Sequence, residues 1–272
     1  MDNKVIKELK DYRYLNWSRT RNSSGTAGSF LKSFEIIDGK KIYYKLSDFS
    51  QIDGKFGHEA INEIIVDRFL TLIGIPHLEY TLHNGLISID SKEYKTYFCS
   101  STDFKKTGDS KTPIDLFYQI NRKNGEDINS FLKRYGFINQ IYTMFVADYL
   151  ILNRDRHGAN IEVLKNGESI RLSPFFDHGL SLLFSCRNEN EIKNFDVMDD
   201  KKIQSFAGTD SVYKNLLSIP KNKLPKINVF NKNDIDYLFY NLDDLISKNH
   251  QKKIFELLYK RYKVYEDLCN KR

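Results

Sequence analysis

The stretch Asn153-Arg154-Asp155-Arg156-His157-Gly158-Ala159-Asn160, followed after a short polar interval by Ser173-Pro174-Phe175-Phe176-Asp177-His178-Gly179, decides how this chain reads. It sets three oxygen-bearing side chains, Asp155, Asn160 and Asp177, around a predicted turn and hairpin. Phosphoryl transfer from a nucleotide needs a carboxylate to orient the attacking hydroxyl, and hard oxygen ligands for a magnesium ion that bridges the phosphates. Asp155 can supply the first. Asn160 cannot act as a base and suits a neutral magnesium ligand, and Asp177, beside a flexible Gly179, can hold metal against the phosphates. A single aspartate before a turn is more often a cap; it is the order and spacing of the three that point to a site.

The apolar helix predicted over residues 139–152 would root this polar loop in a core and leave its tip free for substrate. His157 has no second histidine or cysteine at a ligand-like interval, so its expected part is hydrogen bonding within the loop, orienting Asp155 or the carbonyls near Asp177, with direct acid–base chemistry beside Asp155 as the further option. Arg154 and Arg156 can stabilise phosphate charge or pair with loop carboxylates.

Working outward, the chain divides into two lobes. Residues 30–37 and 41–46 read as strands joined at Asp38-Gly39, and residues 58–73 switch to helical spacing until Gly74-Ile75-Pro76 stops them. Further strands are expected at 78–82, 86–89 and 95–100, so residues 1–101 form a small mixed lobe. A polar connection at 101–111 leads into a largely helical lobe, residues 102–272. Its helices are expected at 115–121, 128–135, 139–152, 234–248 and 251–270, and a hairpin at 161–164 and 170–172.

In the first lobe, Lys45 ends a strand and can reach nucleotide phosphates; Glu59 or Glu63, one turn apart on the following helix, can fix its ammonium. Ser23-Ser24-Gly25-Thr26-Ala27-Gly28-Ser29 offers glycines, hydroxyls and backbone donors before a strand, as a phosphate-cradling loop does, but lacks a Walker pattern. Tyr97-Phe98-Cys99-Ser100 is the passage toward the connection where adenine would be met, chiefly through backbone hydrogen bonds.

With 272 residues, 40% of them hydrophobic, the chain can bury a substantial core. No run of about 18 apolar residues predicts a membrane span, and the polar start lacks the apolar segment of a signal peptide, which leads us to expect a cytoplasmic protein. Three widely spaced cysteines fit neither a disulfide scaffold nor a zinc site. The net charge of +6 permits nucleic-acid contact without establishing it; Lys248, Lys252, Lys253, Lys260, Arg261 and Lys263 read as the solvated face of a C-terminal helix.

The Asp155-x-His157-x-x-Asn160 loop followed by Phe176-Asp177-His178-Gly179 resembles the catalytic and metal-binding segments of HipA-like serine/threonine kinases and, more distantly, of phosphoinositide lipid kinases. The resemblance is sharp at 153–160 and 173–179 and spans roughly residues 20–265 in organisation. It implies an α+β, two-lobed protein-kinase-like fold, ATP and Mg2+ as cofactors, Asp155 as catalytic aspartate, and Asn160 and Asp177 as metal ligands. It favours Glu63 over Glu59 as the partner of Lys45. It also implies that Ser24, Gly25, Thr26 and Gly28 cover the phosphates, with Phe98 and Ser100 near the base and a serine among Ser23, Ser24 and Ser29 open to autophosphorylation. His178 stands where the lipid kinases carry phenylalanine, so an aromatic switch is not implied. The chain is shorter than the two-domain toxin kinases, from which an N-terminal subdomain is expected to be absent or separately encoded. A protein substrate is the leading expectation, a small molecule or lipid the second. An inactive nucleotide-binding module of a toxin–antitoxin complex, with an antitoxin partner, is the alternative of a different class.

Overall fold

The computed structural model describes residues 3–18, 30–49 and 56–270. The Ser/Gly segment holding Ser24, Gly25, Thr26 and Gly28 therefore lies outside the described residues.

The first lobe is a five-stranded sheet with one long helix behind it. Its strands are β1 (Val5–Asp11), β2 (Lys32–Ile37), β3 (Lys40–Leu46), β4 (Thr81–Ile89) and β5 (Lys92–Thr102), ordered β1-β4-β5-β3-β2. All neighbours are antiparallel except β1, which runs parallel to β4. The sequence pattern gave no sign of β1, an edge strand with one inward residue, Val5, and a mostly exposed remainder. Residues 78–89, read as two strands, hold one strand, β4. Gly85, between the two expected strands, sits mid-strand, where a Cβ would come within 2.5 Å of Phe98 and 2.8 Å of Tyr12. The β4–β5 turn is Asp90-Ser91, both at positive φ, as a tight hairpin turn matching strand twist requires.

Helix α1 (Glu59–Ile73) ends on Gly74 in the left-handed conformation. Its apolar residues Ile64, Ile65, Phe69 and Ile73 fill the main core, yet Glu59, Asn62, Glu63, Asp67 and Arg68 are buried as well. Each has partners: Glu59 accepts the Asp48 amide, Asp67 accepts Lys4 and lies against His77, and Arg68 donates to the carbonyls of Leu238 and Tyr240. A helix buried on both faces must satisfy its polar groups internally, and these bonds tie α1 to the sheet and the second lobe together.

The second lobe is built on α2 (Ile114–Asn121), α3 (Ile128–Arg134), α4 (Ile138–Ile151), α5 (Glu189–Asn194), α6 (Val212–Leu217), α7 (Ile235–Leu238) and α8 (Lys248–Asn270). A three-stranded sheet, β6 (Ser110–Pro113), β8 (Glu162–Asn166) and β9 (Ser169–Leu172), is ordered β6-β8-β9; the two-residue strands β7 (Asp155–Arg156) and β10 (Gln204–Ser205) pair in parallel. The connection after β5 is thus shorter than expected, because its far end is drawn into β6. The helix expected at 234–248 is reduced to α7, after which Asn241 takes a positive φ. In α8, Arg261 is not on the solvated face. It is 1% exposed and donates to the carbonyls of Val197 (2.8 Å), Tyr149 (3.1 Å) and Asp199 (2.9 Å).

Candidate active site

Two groups of side chains face each other across the junction of the lobes. The first is gathered by α1. The β2–β3 register sets Lys32 opposite Lys45, so both lysines stand on one face of the sheet. Lys45 donates to Glu63 Oε1 at 2.9 Å and forms an ion pair with Asp177; Lys32 Nζ lies 3.9 Å from Asp177 Oδ2. Burial alone would lower the pKa of Lys45, but the Asp177 and Glu63 carboxylates outweigh it and hold the ammonium charged. Glu63 in turn accepts the backbone amides of His178 (2.9 Å) and Gly179 (3.0 Å), while Asn62 donates to the carbonyls of Gly179 and Ser181, both at 3.1 Å. One turn of α1 therefore fixes both Lys45 and the loop that carries Asp177. Glu59 is one turn too early, engaged with the Asp48 amide.

Asp177 itself adopts a positive φ of 61°, with its amide donating to the Tyr80 hydroxyl at 3.1 Å. Gly179 allows the close approach behind it: a Cβ there would lie 3.0 Å from Glu59 Cβ and 3.3 Å from Lys45 Nζ. His178 is buried and kept neutral, its pKa pushed far down by burial and then by the Arg156 guanidinium. At 1% exposed, it cannot serve as a substrate-facing base.

The second group follows α4. That helix stops on Leu152 in the left-handed conformation, and Asn153, fully buried, turns the chain by donating to Asp148 Oδ1 (2.8 Å) and accepting the Asp155 amide (3.2 Å). Asp155 follows with its side chain 24% exposed, 3.5 Å from His157 Nε2. Burial raises the Asp155 pKa, opposed by His157 and reinforced by the Asp177 charge. His157 Nδ1 accepts the Ala159 amide at 3.2 Å, so the ring is held toward Asp155 by its own loop. Asn160 donates from Nδ2 to the Asp155 carbonyl at 3.0 Å and approaches Asp155 Oδ2 at 3.4 Å. Its Oδ1 is buried with no hydrogen-bond partner among the described residues.

Arg156 joins the two groups. It is buried in an ion pair with Asp148 (3.0 Å), and its NH1 donates both to the Asn160 carbonyl (3.2 Å) and to the Phe176 carbonyl (2.9 Å). It pairs with a helix carboxylate rather than one of the loop's, and it staples the 153–160 segment to the residue before Asp177. Arg154 instead lies over the Phe184 ring at 5.2 Å. Phe98 and Ser100 are not brought to this cleft through their side chains. Lys45 pairs with Cys99, so Phe98 and Ser100 point to the opposite face, where Phe98 stacks on His83 and Ser100 bonds His83 Nε2 at 2.7 Å.

Asp148 and Tyr80 escaped the reading of the sequence, and Asn62 entered it only as the neighbour of Glu63 in the helix entry that the resemblance favours, without its bonds to the Asp177 loop. Asp148 left a signal, a lone carboxylate inside an apolar helix, which must find a cation when buried. Asn62 and Tyr80 left none, because their roles depend on how α1 and the sheet meet the second lobe.

A small lobe of sheet and one helix, a largely helical second lobe and a charged cleft between them define a two-lobed protein-kinase-like fold. The solved structure of CtkA, a proinflammatory kinase of Helicobacter pylori, shares it: TM-score 0.62 at 17% identity, covering 97% of this chain and 97% of that one. Two further likenesses are looser. HipA of Shewanella oneidensis, solved with HipB and operator DNA, gives a TM-score of 0.42 at 12% identity over 93% of this chain and 59% of that one. WaaP, solved with acyl carrier protein, gives 0.40 at 13% over 94% and 90%. No family model matches the chain, and no curated protein is significantly similar to it in sequence. No described helix is long and apolar enough to cross a membrane.

Proposed function

We propose that this protein is an ATP- and magnesium-dependent kinase of the HipA-like kind, passing the γ-phosphate to a serine or threonine hydroxyl. In this reading residues 1–101 carry the nucleotide and residues 102–272 the catalytic and metal-holding side chains. The observation that carries it is the convergence of Lys45, Glu63 and Asp177 with Asp155 and Asn160, the last presenting a buried amide oxygen that nothing in the described protein uses.

That oxygen and the Asp177 carboxylate are hard donors of the type magnesium takes when most of its remaining ligands are phosphate and water. No group of three or more His, Cys, Asp or Glu suited to a metal occurs among the described residues, which fits an ion shared with a nucleotide better than a protein-only cage. Held by Asn160 and Asp177, magnesium would supply positive charge against the phosphates. Lys45, already aimed by Glu63, exchanges part of its ion pair with Asp177 for phosphate oxygen. Asp155 accepts the proton of the attacking hydroxyl at its carboxylate, and burial, by raising its pKa, makes it a better acceptor than an exposed aspartate. His157 positions that carboxylate.

Purified protein incubated with labelled ATP, magnesium and a cell lysate, beside an Asp155→Asn control, tests the reading. Label on protein serine or threonine that disappears in the control is the expected result. Nucleotide binding with no transfer to protein, lipid, metabolite or water would contradict it.

A further inference from the structure

Glu162 opens β8, two residues beyond Asn160, and plays no part in the chemistry above. Its side chain is 6% exposed. Oε1 lies 3.5 Å from Lys111 Nζ, while Oε2 is buried with no hydrogen-bond partner among the described residues. A carboxylate only accepts, and a buried acceptor left without a donor is costly, so this oxygen is open to a donor other than the described residues.

Its surroundings say where that donor would come from. Lys111 Nζ sits 5.9 Å over the Phe104 ring, and Phe104, in the connection between the lobes, packs against Phe176 at 5.6 Å. Phe176 immediately precedes Asp177. From the sheet above, the Tyr43 hydroxyl donates to Asp103 at 3.4 Å. Burial and then the Asp103 carboxylate push the Tyr43 hydroxyl up to about 12, with the Glu162 carboxylate adding to the rise. Tyr43 precedes Lys45 by two residues on the same face of β3, roughly 7 Å away along the strand. Through Lys111 and Phe104, Glu162 thus joins the place where β3, the connection and the residue before Asp177 meet.

We propose that Glu162 Oε2 accepts a hydrogen bond from the nucleoside half of the bound nucleotide, given by its ribose hydroxyls or by the exocyclic amine of its base. The proposal rests on the kinase reading. It adds a selecting group: a nucleotide lacking the donor leaves a buried carboxylate oxygen unpaired, which discriminates more sharply than a lost apolar contact.

Calorimetric titration of the wild-type protein, Glu162→Leu and Glu162→Gln with ATP, 2′,3′-dideoxyATP and inosine triphosphate, with magnesium and with thermal melts of each variant, tests it. The wild type is expected to bind one analogue at least about tenfold more weakly than ATP. The dideoxy analogue would assign the donor to the ribose and inosine triphosphate to the base. Glu162→Leu should lose about tenfold in ATP affinity and bring the ratio close to one. Glu162→Gln keeps the side-chain volume and should reduce the ratio, so the test holds even if the leucine variant folds poorly. Equal affinities for all three nucleotides in the wild type, or ratios unchanged in folded variants, would overturn the assignment and leave the kinase reading standing. A wild type that binds no nucleotide would overturn both.

Discussion

The two halves of the cleft are built on opposite plans. Around Asp177 every charge has an answer: Lys45 meets Glu63 and Asp177, Glu63 also takes two loop amides, and Asn62 holds the loop's carbonyls. Around Asp155 the backbone is fixed as firmly, by Asn153, Asp148 and Arg156, but the chemistry-bearing atoms are left under-used. Asp155 is partly exposed with a raised pKa, and Asn160 Oδ1 is buried without a partner among the described residues. A half saturated in its charges holds its geometry before ligand arrives, though His178 Nε2 and Ser181 Oγ in its loop have no hydrogen-bond partner among the described residues; an unsaturated half keeps acceptors ready for a proton and, at Asn160, for the metal that Asp177 would share.

The largest expected effect comes from removing the acceptor in the open half. Asp155→Asn should lower turnover by about 10²–10⁴-fold with nucleotide affinity kept, measured as initial rates beside equilibrium binding. A comparable loss of nucleotide affinity would erase the contrast between the halves. On the saturated side, Glu63→Ala leaves buried Lys45 with Asp177 alone and strands two backbone amides. It should destabilise the fold by about 3–5 kcal/mol, visible as a melting point lower by roughly 10 °C. A melt unchanged within a degree would show that α1 does not organise the Asp177 loop.

Acid should discriminate next. Asp155 must be ionised to take a proton, so with its pKa raised by burial the rate should fall at a pH above that of ordinary carboxylates as pH is lowered; Asp155→Asn should lack this limb. A separate stability effect lies away from the cleft. Burial holds His83, and burial with the neighbouring His58 holds His250, down to about 4, below the ordinary 6.5. The unfolded chain therefore binds more protons in that window. The stability present above pH 6.5 should be lost as pH falls toward about 4, and His83→Gln should flatten the profile. Urea titrations at stepped pH would check it.

Much of the open half was legible in the sequence because it is local. Asp155, His157 and Asn160 lie in one turn after one apolar helix, and their spacing holds whatever surrounds them. The saturated half was only partly legible. Glu59 and Glu63 are both buried carboxylates one turn apart on α1, and the seating of that helix against the sheet, not its sequence, decides which meets Lys45. Phe98 and Cys99 illustrate the same limit: in a strand apolar on both faces, alternation does not say which residue looks into the cleft. Arg261 was readable in hindsight. It falls on the stripe of Ile254, Leu257, Leu258 and Tyr265, and helical period outranks charge when the stripe is continuous. The connection and the run before α8 were misjudged because short elements there depend on partners far away in the chain, β6 on β8 foremost.

The division of labour between the halves is tested most directly by one titration series: ATP binding with and without magnesium for the wild type, Asp177→Asn and Asp155→Asn. Tighter binding with magnesium in the wild type and in Asp155→Asn, with that gain lost in Asp177→Asn, is the predicted result. Magnesium dependence unchanged by Asp177→Asn, or abolished by Asp155→Asn alone, would contradict it.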